Sequence, residues 1–313
     1  MLVFKIVRKI YFFTSVNFYA SRRVGDSIPD KCLYLTPPFK QDEANHFFKP
    51  TIFHVRRFQT HSTFFMEILG IDIGGSGIKG APVNVSTGEL TAERFRIPTP
   101  SPSKPALVAG VIKEIVDHFE WKGPVGCGFP TIIDKGIARG YSNMDPEWMG
   151  VHIEELFRNQ TGLPFKVIND ADAAGLAEMS FGAGIGRKGL VFVLTLGTGI
   201  GSGVFLDGKL IPNFELGRLL YTNGKPIEYF ASDAARQSKE LSYKKWGKRI
   251  DVFLHHIVRL FSPDLIILGG GGSKKFYKFS DLLTIDVPML VAETRNEAGI
   301  IGAAMAGAGL VDG

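Results

Sequence analysis

The feature that most constrains the fold of this chain is a glycine-rich turn between two short apolar runs, in the stretch ILGIDIGGSGIKGAPVNV at residues 68–85. Short apolar runs bounded by glycines predict a strand, a tight turn and a returning strand. Gly74, Gly75 and Gly77 leave backbone N–H groups unshielded, and such groups can converge on an anion. The turn therefore predicts a phosphate-sized anion site, in which Ser76 is a further candidate.

A carboxylate and an amine flank this turn. Asp72 lies at the end of the first predicted strand, where it would repel a bound phosphate unless a cation lay between them. Asp72 is therefore the candidate ligand for Mg²⁺, directly or through water. Lys79 lies in the returning strand, and strand alternation leaves open whether its side chain faces phosphate or solvent.

The same turn allows three other interpretations. Gly75, Gly77 and Gly80 match the dinucleotide pattern G-x-G-x-x-G, but that pattern needs a helix to begin within it, and residues 81–83 continue as strand. A protein kinase would also need H-R-D and D-F-G motifs, which the sequence lacks. A tight hairpin with no ligand remains open on this stretch alone.

Composition narrows the class of protein. The chain has 313 residues, 45% of them hydrophobic, which is enough for two domains with their own cores. Two cysteines exclude a disulfide framework and a cysteine-rich zinc site, so no zinc is expected. No apolar run of about 18 residues occurs, so no membrane-spanning helix is expected.

The charge is unevenly distributed. Residues 1–65 hold ten Lys and Arg against four Asp and Glu, which leaves residues 66–313 with a net charge of −1. Nucleic-acid binding is therefore not expected. Residues 1–65 show no sustained period and predict a poorly structured extension: a transit segment, or a misassigned start with Met66 as the first residue, with a structural extension as the third option. The location is then the cytoplasm, or an organelle if the transit segment is genuine.

From residue 66 onward the pattern is α/β, with a first lobe at 66–185 and a second at 186–313. Strands are predicted at 93–97, 125–130, 165–168, 190–196, 204–206 and 265–268, and helices at 108–119, 153–161, 231–240, 243–261 and 297–309. The second lobe repeats the opening arrangement of strand, glycine turn and strand. The last helix is a candidate to pack back on the first lobe.

Five motifs in order resemble the ROK family of sugar kinases, and within it the polyphosphate-dependent glucokinases and glucomannokinases. They are IDIGGSGIKGA (71–81), NDADAAGLAE (169–178), TLGTGIGSG (195–203), NFELG (213–217) and LGGGGSKK (268–275). The resemblance covers residues 66–309. It implies the actin-like ATPase fold, which is ribonuclease H-like: two α/β lobes with a central cleft that holds the hexose, and a phosphoryl donor across it.

The resemblance implies that Asp170 is the general base, which would orient a sugar hydroxyl and accept its proton. Helix capping is the structural alternative, because Asn169 and Asp170 open a predicted helix, and both roles can coexist. Asn143, Asn169 and Glu215 are the residues implied to bind sugar hydroxyls. Arg218 stands where the family's polyphosphate branch has histidine, which puts the identity of the hexose in question.

The resemblance also implies two sets of donor-binding residues besides the first turn. The second glycine turn supplies Gly197, Thr198 and Gly199. The glycine run after the 265–268 strand supplies Gly270, Gly271, Ser273 and Lys274.

The function that the resemblance implies is a Mg²⁺-dependent glucokinase-type enzyme. It would transfer a phosphoryl group from polyphosphate or ATP to the 6-hydroxyl of glucose or a related hexose. Two alternatives stay open: a non-catalytic sugar-sensing protein with the same fold, and a kinase for an amino or acylated hexose. A homodimer is the family habit.

Overall fold

The glycine turn joins two antiparallel strands at the start of the described chain. The structure, a computed structural model, describes residues 67–140 and 142–311. Strands β1 (Glu67–Ile73) and β2 (Ile78–Asn84) are buried on both faces, which is why they read as apolar runs in the sequence. Their pairing places Asp72 opposite Lys79. The strand–turn–strand prediction is confirmed, and the expectations for residues 1–65 lie outside the described residues.

The remaining elements alternate as an α/β protein should. The further strands are β3 (Glu89–Leu90), β4 (Phe95–Ile97), β5 (Val125–Phe129), β6 (Ile133–Asp134), β7 (Ile137–Ala138), β8 (Phe165–Asn169), β9 (Leu190–Leu196), β10 (Ile200–Leu206), β11 (Lys209–Ile211), β12 (Leu265–Gly269) and β13 (Met289–Val291). The helices are α1 (Pro105–His118), α2 (Ile153–Thr161), α3 (Asp170–Phe181), α4 (Glu228–Ala231), α5 (Asp233–Ser238), α6 (Tyr243–Phe261), α7 (Gly270–Ser273) and α8 (Ala298–Ala308).

Two predictions need correction. The helix expected at 231–240 is two short helices, α4 and α5, because Ser232 leaves the helical conformation and caps α5 by accepting a hydrogen bond from the N–H of Ala235. The strand expected at 93–97 is shorter, and β3 precedes it. The helices at 153–161 and 243–261 are confirmed at both ends.

Two sheets with related connectivity form the core of the described chain. The first has the order β3-β2-β1-β5-β8, with β4 beside β2, and the second has the order β11-β10-β9-β12-β13. In each sheet one antiparallel hairpin is followed by parallel strands: β1, β5 and β8 in the first, and β9, β12 and β13 in the second. Ligands of open α/β sheets bind at the carboxyl ends of such strands.

Helices α3 and α8 pack against one another and against the first sheet. Helix α8 contacts β1, β5 and α3, and α3 also contacts β9 and β10. Glycines allow this approach: a Cβ atom at Gly126 would lie 1.7 Å from the carbonyl oxygen of Ala303, and one at Gly302 would lie 1.7 Å from that of Ala173. The division into lobes at 66–185 and 186–313 stays a prediction. Within the described residues, no helix combines the length and apolar character needed to cross a bilayer.

Candidate active site

A cavity of about 890 Å³ lies where the ends of several strands converge. The side chains or backbone of Asp72, Lys79, Asp170, Thr195, Gly270 and Lys274 line it. Asp72 and Lys79 come from β1 and β2, Asp170 begins α3 directly after β8, and Thr195 lies near the end of β9. The sheets therefore bring together groups that are distant in sequence, as carboxyl ends of parallel strands do.

Asp170 is a half-buried carboxyl group in the lining of this cavity. Burial and, to a smaller extent, the charge of Asp72 together raise the pKa of Asp170 to about 7, against a hydrogen bond from the N–H of Ala171 that lowers it. The charge of Glu215 adds a smaller increase. A group with a pKa near neutrality is half ionised at physiological pH, so it can accept a proton from a hydroxyl group.

Helix capping, the alternative role considered for Asp170, is performed mainly by its neighbour Asn169. Asn169 is the N-cap of α3, and its Oδ1 accepts hydrogen bonds from the N–H groups of Ala171 at 2.8 Å and Asp172 at 3.1 Å. Its Nδ2 donates to the carbonyl oxygen of Thr131 at 3.1 Å. Because Asn169 does most of the capping, one carboxylate oxygen of Asp170 is left for the cavity.

Asp72 and Lys79 form an ion pair inside the cavity, with Oδ2 and Nζ 2.8 Å apart. Both side chains are largely shielded, at 16% and 26% exposure. The direction of Lys79, which strand alternation left open, is therefore towards Asp72 and the cavity. An amine and a carboxylate side by side provide a contact for a phosphate oxygen and a ligand for a cation.

The carboxylate of Asp72 is a ligand of the kind that Mg²⁺ takes. Mg²⁺ is commonly bound by one or two carboxylates together with substrate phosphates, whereas zinc needs three or four protein ligands. Asp72 offers one such carboxylate. Among residues 67–140 and 142–311, no group of three or more His, Cys, Asp or Glu is placed to hold a metal. The residues present therefore suit a metal that arrives with a phosphorylated substrate.

The tip of the first glycine turn lies outside the cavity lining. The N–H of Gly74 donates to the carbonyl oxygen of Gly77 at 3.1 Å, so this amide closes the turn. Arg96 donates to the carbonyl oxygen of Ser76 at 2.8 Å. Gly75 and Ser76 are exposed. Phosphate binding by Gly74, Gly75, Ser76 and Gly77 stays a prediction, and the strand residues beside the turn line the cavity.

The second glycine turn is similar. The N–H of Gly197 donates to the carbonyl oxygen of Gly199 at 3.0 Å, and Thr198 is exposed at the tip. Glu228 braces this turn because its Oε2 accepts a hydrogen bond from the N–H of Ile200 at 3.2 Å. The cavity lining includes Thr195 from the preceding strand but none of these three tip residues. Their contact with phosphate stays a prediction as well.

The glycine run after β12 does line the cavity. Gly270, Gly271, Ser273 and Lys274 all belong to the lining. Gly270 has a φ of 78°, in the left-handed region that favours glycine, and a Cβ atom there would lie 2.7 Å from the carbonyl oxygen of Leu196. Lys274 approaches Asn296, with Nζ and Oδ1 3.5 Å apart. Glycine at position 270 therefore allows this segment to lie directly against the end of β9.

The four sugar-binding candidates lie outside the lining of this cavity. Glu215 and Arg218 form an ion pair, with Oε2 and Nε 3.5 Å apart. Burial raises the pKa of Glu215, Arg218 lowers it, and Glu228 raises it. Glu215 is close enough to raise the pKa of Asp170. Asn143 is exposed in a loop, and Asn169 is buried at the start of α3.

Sequence reasoning missed several residues of the site. Glu178 is 1% exposed, lines the cavity, and accepts hydrogen bonds from the N–H groups of Glu293 at 3.0 Å and Thr294 at 2.7 Å. A single acid in the otherwise small and apolar stretch AAGLAEM was the available signal. Tyr277, 68% exposed, lines the cavity too. Nothing in its local pattern marked it.

The protein has two related sheets, each with a strand–turn–strand unit, and a carboxyl group of raised pKa lies at their strand ends. These features define the class of protein: an α/β protein of the actin-like ATPase fold with a phosphotransfer site. The sequence model of the ROK family matches residues 68–213. Polyphosphate glucokinase of Mycobacterium tuberculosis H37Rv is 43% identical over 238 residues, which cover 76% of this chain and 89% of that protein. The chain belongs to the ROK family.

A solved structure and a further sequence relative agree with this assignment. The inorganic polyphosphate/ATP-glucomannokinase of Arthrobacter sp. strain KM superposes with a TM-score of 0.74 and 44% sequence identity, covering 78% of this chain and 99% of the other. The Mycobacterium leprae polyphosphate glucokinase is 42% identical over 76% of this chain and 73% of that protein. The matches therefore span most of the chain.

Proposed function

We propose that the protein transfers a phosphoryl group from polyphosphate or ATP to the 6-hydroxyl of glucose or a related hexose. The observation that carries this proposal is Asp170, a carboxyl group with a pKa of about 7 in a cavity that also contains Asp72, Lys79 and Lys274. The names of its relatives in Mycobacterium and Arthrobacter support the hexose acceptor and both donors.

Asp170 would act as the general base. A hexose hydroxyl is a poor nucleophile, so a carboxylate that orients it and accepts its proton as the new P–O bond forms lowers the barrier. The bond from the transferred phosphorus to the rest of the donor breaks, which leaves ADP or a polyphosphate shortened by one unit. Lys79 and Lys274 would balance negative charge that develops on the phosphoryl oxygens.

Asp72 is the proposed ligand for Mg²⁺, directly or through water. When bound, the ion would neutralise charge on the donor phosphates. Asp72 keeps its carboxylate in the cavity, and Lys79 holds it in place at 2.8 Å. The glycine segment at 270–271, with Ser273, would line the path of the donor.

The hexose would be held by Asn143, Asn169, Glu215 and Arg218. Hydroxyl recognition needs acceptors and donors at fixed positions, because a buried polar group left unpaired costs about 1–3 kcal/mol. The electrostatic influence of Glu215 on Asp170 supports a sugar site on that side of the base. Arg218 replaces the histidine of the family's polyphosphate branch and pairs with Glu215, so it would set which hexose is preferred.

The proposal includes a homodimer in a reducing compartment, the cytoplasm, or an organelle if residues 1–65 are a transit segment. The low cysteine content supports a reducing compartment, and Cys127 is a free, buried thiol. Hexose and polyphosphate or ATP are the proposed partners, with no nucleic acid or membrane among them.

The test is a comparison of donors and acceptors with the purified protein. Glucose, mannose and an N-acetylated hexosamine are each incubated with ATP or polyphosphate and Mg²⁺, and the sugar 6-phosphate is measured. The proposal predicts turnover of glucose or mannose with at least one donor. Sugar binding without turnover with either donor would support a sensor instead, and turnover of the N-acetylated sugar alone would support the amino-sugar kinase.

A further inference from the structure

A cluster of three polar residues, Asn169, Asp172 and Asn213, links segments of the chain that are far apart in sequence. Asp172 lies in the first turn of α3 and is 1% exposed. Its Oδ2 accepts a hydrogen bond from the backbone N–H of Asn213 at 2.9 Å. Among the described residues, its Oδ1 has no hydrogen-bond partner. The hydrogen bond from Asn213 therefore connects Asp172 to a segment outside its own helix.

Asn213 continues the link with its side chain. Its Nδ2 donates to the carbonyl oxygen of Ile133 at 2.9 Å, and its Oδ1 accepts from the N–H of the same residue at 2.9 Å. This is the pair of bonds that a neighbouring strand would make with β6. Asn213 has a φ of 67°, in the left-handed region, which turns its side chain and backbone towards different partners.

Asn169 closes the arrangement from the other side. It donates to the carbonyl oxygen of Thr131, two residues before Ile133, while its Oδ1 caps α3. Three segments are thereby held together: residues 131–133, the start of α3, and the loop that begins at Asn213. Such hydrogen bonds fix geometry because the side chains of Asn169 and Asp172 are buried, and breaking a bond there leaves a buried polar group without that partner.

The position of the cluster relative to the proposed site suggests its role. Asp170 lies between Asn169 and Asp172, and Glu215 lies two residues after Asn213. We propose that Asp172 and Asn213 are positioning residues that fix the sugar-binding segment of Glu215 against the helix that carries Asp170. This inference rests on the proposed hexose site. If it is correct, Asp172 and Asn213 affect the binding of the hexose and do not affect the binding of the phosphoryl donor.

Variants of Asp172 and of Asn213 test the hydrogen bonds at the two ends of this link. Asp172→Ala removes the acceptor for the Asn213 N–H, whereas Asp172→Asn keeps an acceptor of the same size. Asn213→Gly keeps the left-handed backbone and its N–H but removes the bonds to Ile133. Asn223→Gly is the matched control, because Asn223 is exposed and has a φ of 61°. The readouts are kcat, the KM for hexose, the KM for the donor, and the melting temperature.

The inference predicts a split between the two substrates. Asp172→Ala and Asn213→Gly should raise the hexose KM about tenfold, the loss typical of one buried hydrogen bond, while the donor KM stays within about twofold of the wild type. Asp172→Asn and Asn223→Gly should keep the hexose KM within about threefold of the wild type.

Other outcomes would overturn the inference. These are an unchanged hexose KM in folded Asn213→Gly, or a parallel rise of both KM values that tracks a fall in melting temperature, as a general loss of stability would produce. If Asp172→Ala does not fold, Asn213→Gly decides. If the wild type phosphorylates no hexose, the proposed function fails, and the shift in melting temperature with added hexose then tests the cluster independently in the same variants.

Discussion

Asp170 and Asp172 lie two residues apart on α3, but their side chains contact different parts of the protein. Asp170 lines the cavity, whereas Asp172 is bonded to the backbone of Asn213. Burial raises the pKa of both to about 7. The bond from the Asn213 N–H lowers the pKa of Asp172 against this trend, and the charge of Glu215 raises it. The two carboxyl groups thus combine a similar pKa with different contacts.

The raised pKa of Asp172 predicts a pH-dependent stability. An unfolded aspartate has a pKa of about 3.9, so between about pH 4 and pH 7 the folded state binds more protons than the unfolded state. The contribution of Asp172 to the free energy of unfolding is then fully present below about pH 4 and is lost as the pH rises through about 7. Asp172→Asn removes this dependence while keeping an acceptor for Asn213.

The measurement is urea unfolding of the wild type and Asp172→Asn at pH 5 and pH 8. The free energy of unfolding of the variant relative to the wild type should rise by on the order of 2–3 kcal/mol between these values. Taking the difference cancels the contributions of the titrating groups that do not interact with Asp172. A difference that is the same at both pH values would contradict the assigned pKa.

At the scale of elements, α8 packs against the first sheet with almost no space between the two backbones. The backbone of α8 approaches β5 at Gly126, where no side chain fits, because a Cβ atom would lie 1.7 Å from the carbonyl oxygen of Ala303. Gly126→Ala must therefore displace the helix, and it should lower the free energy of unfolding by about 3 kcal/mol or more.

The control for this prediction is a glycine in a helix with free space around it. Gly110 is exposed on α1, and a Cβ atom there would meet nothing within 4 Å. Gly110→Ala should raise the free energy of unfolding by about 0.5–1 kcal/mol, because alanine is the better helix former. Denaturant unfolding monitored by circular dichroism measures both. Equal effects of the two variants would contradict the packing described for α8.

The sequence predicted most of the elements and the position of two carboxylates at strand ends. Asp72 and Asp170 each follow an apolar run, and that position alone places them at the edge of a sheet. Local pattern also located α2 and α6, because their apolar spacing is regular and Gly162 and Ser262 end them in the left-handed conformation.

The sequence could not predict which part of a glycine hairpin faces the cavity, because this depends on how the two sheets pack. It also could not separate the roles of Asn169, Asp170 and Asp172 in the NDAD motif. Those roles depend on Asn213 and on Ile133, which lie eighty residues apart. Local propensity carries no information on such a contact.

At the scale of the whole molecule, two sheets place the ends of their strands at one cavity. β1 and β8 lead to Asp72 and Asp170, and β9 and β12 lead to Thr195 and the glycine segment. In the proposed function, the donor path and the sugar site would meet at Asp170. Closure around both substrates would exclude water, which otherwise competes as the phosphoryl acceptor.

The most direct test of this account is Asp170→Asn, assayed for phosphoryl transfer to hexose and for hexose binding, with Asp117→Asn on the exposed face of α1 as the control. The account predicts that Asp170→Asn lowers kcat by about 10²–10⁴-fold, the usual contribution of a general base. Hexose should still raise its melting temperature, and Asp117→Asn should match the wild type. An Asp170→Asn variant that keeps kcat within about tenfold of the wild type would contradict the assignment of Asp170 as the general base.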